Sequence, residues 1–124
     1  AHGDPLRALW LMNSDPRLTG LNTEFMALAN HRRAIRAELK TYAERVRDIE
    51  TAAATVALRG RGIDLDTFPA MAISMLIAQT ARSMCNEAAV GVTLGHDELR
   101  EFVERQISLL IDPVSTTPAA IPQS

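Results

Sequence analysis

The sequence predicts an all-α fold, an antiparallel bundle of about five helices in one domain. Aromatic residues make up only 4% of the 124 residues while Ala and Leu abound, a composition that favours helices over strands. In the middle of the chain, apolar residues recur at alternating steps of four and three, which is the period of an α-helix. Pro and Gly residues divide the remainder of the chain into segments of helical length.

Two short helices are expected at the start of the chain. Asp4-Pro5 and Asp15-Pro16 each combine an N-cap side chain with a proline that fits the first helical turn. The first block extends to about residue 13 and the second to about residue 29. Gly20 weakens the second helix by about 1 kcal/mol relative to Ala.

The third helix, from about residue 31 to 59, is the longest and is expected to span the whole domain. One face carries an apolar stripe, which predicts the buried side: Ile35, Leu39, Tyr42, Val46, Ile49, Ala53 and Val56. The basic cluster on the other face is interpreted as solvated: Arg32, Arg33, Arg36 and Lys40. Gly60 and Gly62 are expected to end this helix, because Gly tolerates the left-handed conformation.

A fourth helix is expected from an Asp66 N-cap to about residue 89, apolar on nearly every side. A loop at 91–95 separates it from a last helix at 97–111. Residues 1–111 therefore form the domain. The segment 112–124 contains Pro113, Pro118 and Pro122 and is expected to be a disordered tail.

Composition excludes several classes of protein. The net charge is −2 and the pI is about 5.9, so the chain offers no basic surface for nucleic acid. A single cysteine, Cys85, rules out a disulfide framework and a cysteine-rich zinc site. The longest stretch without charge, residues 67–81, spans roughly 22 Å and is too short for a membrane of ~30 Å. We expect a cytoplasmic protein that does not enter membranes.

No catalytic signature is present, so the chain is not expected to be an enzyme or to hold a metal or a cofactor. It has no Gly-rich phosphate loop, no His-x-x-x-His pair and no nucleophile elbow. His2, His31 and His96 are interpreted as solvated or capping residues, and Cys85 as a buried, inert thiol.

A surplus of flexible apolar residues suggests a cavity between helices. The set consists of Trp10, Phe25, Tyr42, Phe68, Met71, Met75 and Met84. Tyr42 and Gln79 offer polar groups to a ligand there. The alternative is that these residues simply form the core. The fourth and last helices also carry more apolar surface than one small bundle absorbs, which indicates a symmetric dimer interface.

The order of segments resembles the C-terminal ligand-binding and dimerisation domain of TetR-family transcriptional regulators. The resemblance covers roughly residues 4–111, and the glycine turn before the charge-free helix carries most of it. One departure is Arg61, at a position that is often acidic in the family. The segments that carry the resemblance are Asp15-Pro16-Arg17-Leu18, Ala57-Leu58-Arg59-Gly60-Arg61-Gly62, Ile63-Asp64-Leu65-Asp66 and Asp97-Glu98-Leu99-Arg100.

The resemblance implies an effector-sensing domain that binds a small apolar ligand between helices and forms a homodimer. The implied pocket contains Phe25, Tyr42, Val46, Met71 and Met75. The implied dimer face contains Ile73, Ile77, Thr80, Met84, Phe102, Val103, Gln106 and Leu110. The family's N-terminal DNA-reading helices are not in this sequence, so the fragment itself is expected not to contact DNA.

Two other functions stay open. One is a helical interaction module without a ligand. The other is a small helical enzyme of chorismate-mutase type, which requires inward-facing basic residues. Arg45 and Arg82 suit that role better than Arg32, Arg33 and Arg36, which lie off the apolar stripe.

Overall fold

The computed structural model describes residues 4–111 and confirms the all-α prediction, with five helices and no strand within that range. They are α1 (Pro5–Asn13), α2 (Pro16–Ala29), α3 (Arg33–Gly60), α4 (Ala70–Ala89) and α5 (His96–Ile111). The predicted tail at 112–124 lies outside the described residues. Within residues 4–111, none of the helices combines the length and the hydropathy needed to cross a membrane.

The first two helices begin as the sequence predicts. Asp4 accepts a hydrogen bond on its Oδ1 from the Arg7 N–H at 2.9 Å, and Asp15 accepts one from the Arg17 N–H at 2.9 Å. Each cap precedes a proline in the first helical turn. These side chains satisfy N–H groups that have no partner within their helices.

The third helix ends in a left-handed glycine turn, as expected. Gly62 has a φ of +72°, and the Ile63 N–H donates back to the Leu58 carbonyl at 3.0 Å. The same arrangement ends α4, where Gly91 has a φ of +86° and the Val92 N–H donates to the Glu87 carbonyl. Such turns satisfy the last carbonyls of a helix and direct the following residue back toward it.

The start of α4 differs from the prediction. Asp66 does not cap the helix, which begins four residues later at Ala70, after an extended Pro69. The reason is a competing turn. Asp64 accepts hydrogen bonds from the Asp66 N–H and the Thr67 hydroxyl, and this local turn occupies residues that a helix would need.

The core lies between α1, α3, α4 and α5, and α2 packs against α3 and α4 beside it. Its buried residues are Leu6, Leu9, Trp10, Ala54, Leu58, Ala70, Ile77, Ala81, Met84 and Ile107. The third helix uses Ala54 and Leu58 for this core, so the predicted buried face was wrong. The exposed residues of the apolar stripe are Tyr42, Ile49 and Val56, and its half-buried residues, outside this core, are Ile35, Leu39, Val46 and Ala53.

Candidate ligand-binding cleft

A cleft of about 700 Å³ lies between α2 and α3. It opens to solvent on one side, where Phe25 and Tyr42 are each more than half exposed. Its volume is typical of small-molecule sites, which range from about 300 to 1,000 Å³. Its lining comprises Met12, Asn13, Leu18, Thr19, Leu21, Asn22, Phe25, Ala34, Ile35, Glu38, Leu39, Tyr42, Ala43, Val46, Arg47, Glu50 and Arg82.

Helical spacing builds both walls. Leu18, Leu21 and Phe25 recur at steps of three and four along α2, which places them on one side of that helix. The first half of the α3 stripe, 35–46, forms the opposite wall. Because the two helices do not close completely over these side chains, the apolar walls stay partly open to solvent.

One end of the cleft is polar. The Arg82 guanidinium donates from Nη1 to Asn13 Oδ1 at 2.7 Å and from Nη2 to Gln79 Oε1 at 2.7 Å. The Asn13 amide donates to the Leu9 carbonyl at 2.9 Å and to Glu50 Oε2 at 3.2 Å. Asn13 therefore holds Arg82 and Glu50 in fixed positions on either side of its amide.

Thr19, one of the lining residues, has a buried hydroxyl. Thr19 is only 5% exposed, and its Oγ1 makes no hydrogen bond within residues 4–111. An unpaired buried hydroxyl costs roughly 1–3 kcal/mol. The oxygen has almost no accessible surface, so the cleft does not present it to a ligand.

Three of the seven predicted ligand-binding residues come together here, namely Phe25, Tyr42 and Val46. The other four do not line the cleft. Trp10 is a core residue, and its Nε1 donates to Glu104 Oε2 at 3.1 Å. Phe68, Met71 and Met75 lie before or in the first half of α4, away from the lining. Of the two predicted polar groups, Tyr42 lines the cleft and Gln79 acts only through Arg82.

Sequence reasoning missed Leu18, Leu21, Asn13 and Thr19 as lining residues, and it did not place Arg82 at the cleft. The steps between Leu18, Leu21 and Phe25 were a readable signal, since they define one face of α2. The contact of Arg82 with Asn13 joins residues 69 positions apart, and no local pattern indicates such a pairing.

The predicted dimer face is divided between core and surface. Ile77 and Met84 are buried in the core of this chain, so they are not free to contact a second copy. Ile73, Val103 and Leu110 pack partly against the same core. Phe102 is 53% exposed, and Thr80 and Gln106 are half-buried. Four further large apolar residues of α4 and α5 are exposed: Met71, Leu76, Leu99 and Leu109.

The histidine and cysteine interpretations need correction at two positions. His96 is buried rather than solvated, and its Nε2 lies 2.9 Å from Glu87 Oε1. Cys85 is only half-buried, and its Sγ donates to the Ser14 carbonyl at 3.2 Å. No group of three or more potential metal ligands occurs within the described part of the chain.

The five basic residues weighed for an enzyme site do not converge. Arg82 alone among them lines the cleft, while Arg32, Arg33, Arg36 and Arg45 are exposed elsewhere.

No family model matches the chain, and searches of curated proteins and of solved structures find no match.

Proposed function

We propose that the chain is an effector-sensing domain that binds a small, largely apolar molecule in the cleft between α2 and α3. The cleft itself carries this proposal. It combines apolar walls, a volume suited to an organic ligand, and a few polar groups at one end.

We further propose that the domain serves a TetR-like transcriptional regulator and acts as a homodimer. The exposed apolar residues of α5, with Phe102 at their centre, support the dimer. A ligand that binds one arrangement of the two copies more tightly shifts the population toward that arrangement. The DNA-reading domains of such a regulator respond to that shift, which cannot exceed the ligand's differential affinity.

The first test is thermal unfolding with and without 1-decanol, an apolar molecule with a small polar end. At a hundred times its Kd, a ligand stabilises the folded chain by about 2.7 kcal/mol. For a domain of this size, that raises Tm by roughly 10 °C. No rise with 1-decanol or with its carboxylate analogue, decanoate, at any soluble concentration contradicts the proposal.

Two matched variants locate the effect. Ala43 lines the cleft and Ala52 does not, yet both are exposed residues of α3. Ala43→Trp fills the cleft and is expected to abolish the rise in Tm. Ala52→Trp adds the same side chain outside the cleft and is expected to keep it. Equal loss in both variants contradicts the proposed location.

A ligand-free interaction module is the second candidate, favoured by one observation. Tyr42, Ile49 and Val56 are exposed, seven residues apart, on one face of α3. A heptad spacing of apolar residues is typical of a helix that packs against a partner helix. If Ile49→Glu abolishes self-association or binding to a partner while Ala43→Trp changes nothing, this candidate replaces the first.

A further inference from the structure

We infer that the cleft takes an extended organic anion, with one long hydrocarbon chain and a carboxylate head that accepts hydrogen bonds from Arg82. This inference rests on the proposed function and names the ligand class of the same site. It follows from the shape of the cleft, from the charges at its two ends, and from the unused donors at the polar end.

The shape favours a single chain. The lining residues of α3 extend from Ala34 to Glu50, a length of roughly 24 Å at 1.5 Å per residue. The cleft follows α3 over that length and is open to solvent, so an extended hydrocarbon chain can lie along its apolar walls.

The Arg82 guanidinium has N–H groups beyond the two that make its hydrogen bonds. Its two hydrogen bonds go to the neutral amide oxygens of Asn13 and Gln79. The ion pairs found among residues 4–111 do not include it. A guanidinium carries five N–H groups in a planar fork that matches a carboxylate. Its remaining N–H groups are therefore the natural partners of an anionic head.

The charges at the two ends of the cleft orient the ligand. Arg82, Arg47 and Glu50 line the polar end, so two positive charges face one negative charge there. Glu38 lines the cleft twelve residues earlier on α3, roughly 18 Å away. An anionic head is attracted to the Arg82 end and repelled from the Glu38 end, which leaves the apolar chain along the walls between them.

The test compares three ligands of equal chain length on the unmodified protein by isothermal titration calorimetry: decanoate, 1-decanol and decylamine. Decanoate is expected to bind at least about tenfold more tightly than the other two, the effect of one charge-assisted hydrogen bond. Equal binding of decanoate and decanol overturns the anion inference and leaves the proposed function standing. Binding of none of the three overturns both.

Variants then locate the effect. Arg82→Gln is expected to bring the decanoate affinity to within about twofold of the decanol affinity, because the charge-assisted bond is lost. Arg82→Lys retains the charge and is expected to restore part of the preference, and it serves as the folded variant if Arg82→Gln does not fold. Arg45→Gln removes the same charge from an exposed position outside the cleft and keeps the full preference. If the Arg82→Gln protein folds and keeps the full preference for decanoate, the inference is overturned.

Discussion

Ile49 and Leu58 lie on opposite faces of α3: Leu58 is completely buried, whereas Ile49 is 63% exposed. They are nine residues apart, and nine residues of α-helix turn through about two and a half turns. The helix therefore has two apolar faces. One packs against α4 and the rest of the core, and the other is available to a partner.

The two residues are expected to differ sharply in their contribution to stability. Leu58→Ala removes a fully buried side chain and is expected to lower the free energy of unfolding by about 2–5 kcal/mol. Ile49→Ala is expected to change it by less than about 0.5 kcal/mol, as for a surface substitution. Urea denaturation followed by circular dichroism measures both. A similar loss in the two variants means that Ile49 is buried in an interface.

Alanine substitutions at Gly20 and Gly62 are expected to change stability in opposite directions. Gly20 lies within α2 and Gly62 has a φ of +72°, and a Cβ at either position meets no atom within 4 Å. Any effect therefore comes from the backbone alone. Gly20→Ala is expected to stabilise the protein by roughly 0.5–1 kcal/mol, because Ala favours the helix. Gly62→Ala is expected to destabilise it by about 1–2 kcal/mol, the cost of a left-handed alanine. A higher urea midpoint for Gly20→Ala and a lower one for Gly62→Ala support these assignments. Midpoints that change in the same direction contradict them.

The predicted dimer is tested at Phe102, an exposed aromatic residue that lies between the exposed Leu99 and Leu109 along α5. The unmodified protein is expected to sediment as a dimer at micromolar concentration, and Phe102→Glu as a folded monomer. Val90→Glu places the same charge on an exposed apolar residue in the loop after α4 and is expected to leave the dimer intact. A stable monomer of the unmodified protein contradicts this part of the proposal.

The turn before α4 gives a pH dependence. The hydrogen bond from the Thr67 hydroxyl, followed by that from the Asp66 N–H, holds the pKa of Asp64 below its usual value of 3.8. A pKa that is lower in the folded state stabilises the protein above the unfolded value, and the effect disappears as the pH falls through the folded value. Asp64→Asn is therefore expected to be less stable than the unmodified protein at pH 7, with a difference that shrinks below about pH 3.8.

The control for this prediction is Asp66→Asn, which removes the same charge two residues away. This variant shows whether the loss of any negative charge from this turn produces the same curve. Urea midpoints measured from pH 7 to pH 3 give both curves. A constant difference for Asp64→Asn contradicts the assigned role of its carboxylate.

Local patterns predicted most of the fold. Asp-Pro pairs gave the starts of α1 and α2, and Gly62 gave the end of α3, because caps and left-handed turns depend on a few neighbouring residues. The prediction for the start of α4 was wrong because of an equally local interaction. Asp64 and Asp66 both suit a cap, and the hydrogen bond from Thr67 decides in favour of a turn at Asp64.

The site was harder to predict because its parts meet only through packing. Phe25, Tyr42 and Val46 were expected in a pocket and do line the cleft, since their helical faces are readable. Met71 and Met75 share the same apolar character, and no periodicity shows which helix faces which neighbour. The polar end depends on Asn13, Glu50 and Arg82, which three different elements bring together.

The most direct test of the cleft is a titration of ¹⁵N-labelled protein with 1-decanol and, separately, with decanoate, followed by amide chemical shifts. Saturable shifts are expected at residues that line the cleft on α2 and α3, among them Leu21, Phe25, Leu39, Tyr42 and Val46. Residues of α5 are expected to move little, because none of them lines the cleft. Shifts centred on α5, or no saturable shift on α2 and α3, contradict a ligand site between these two helices.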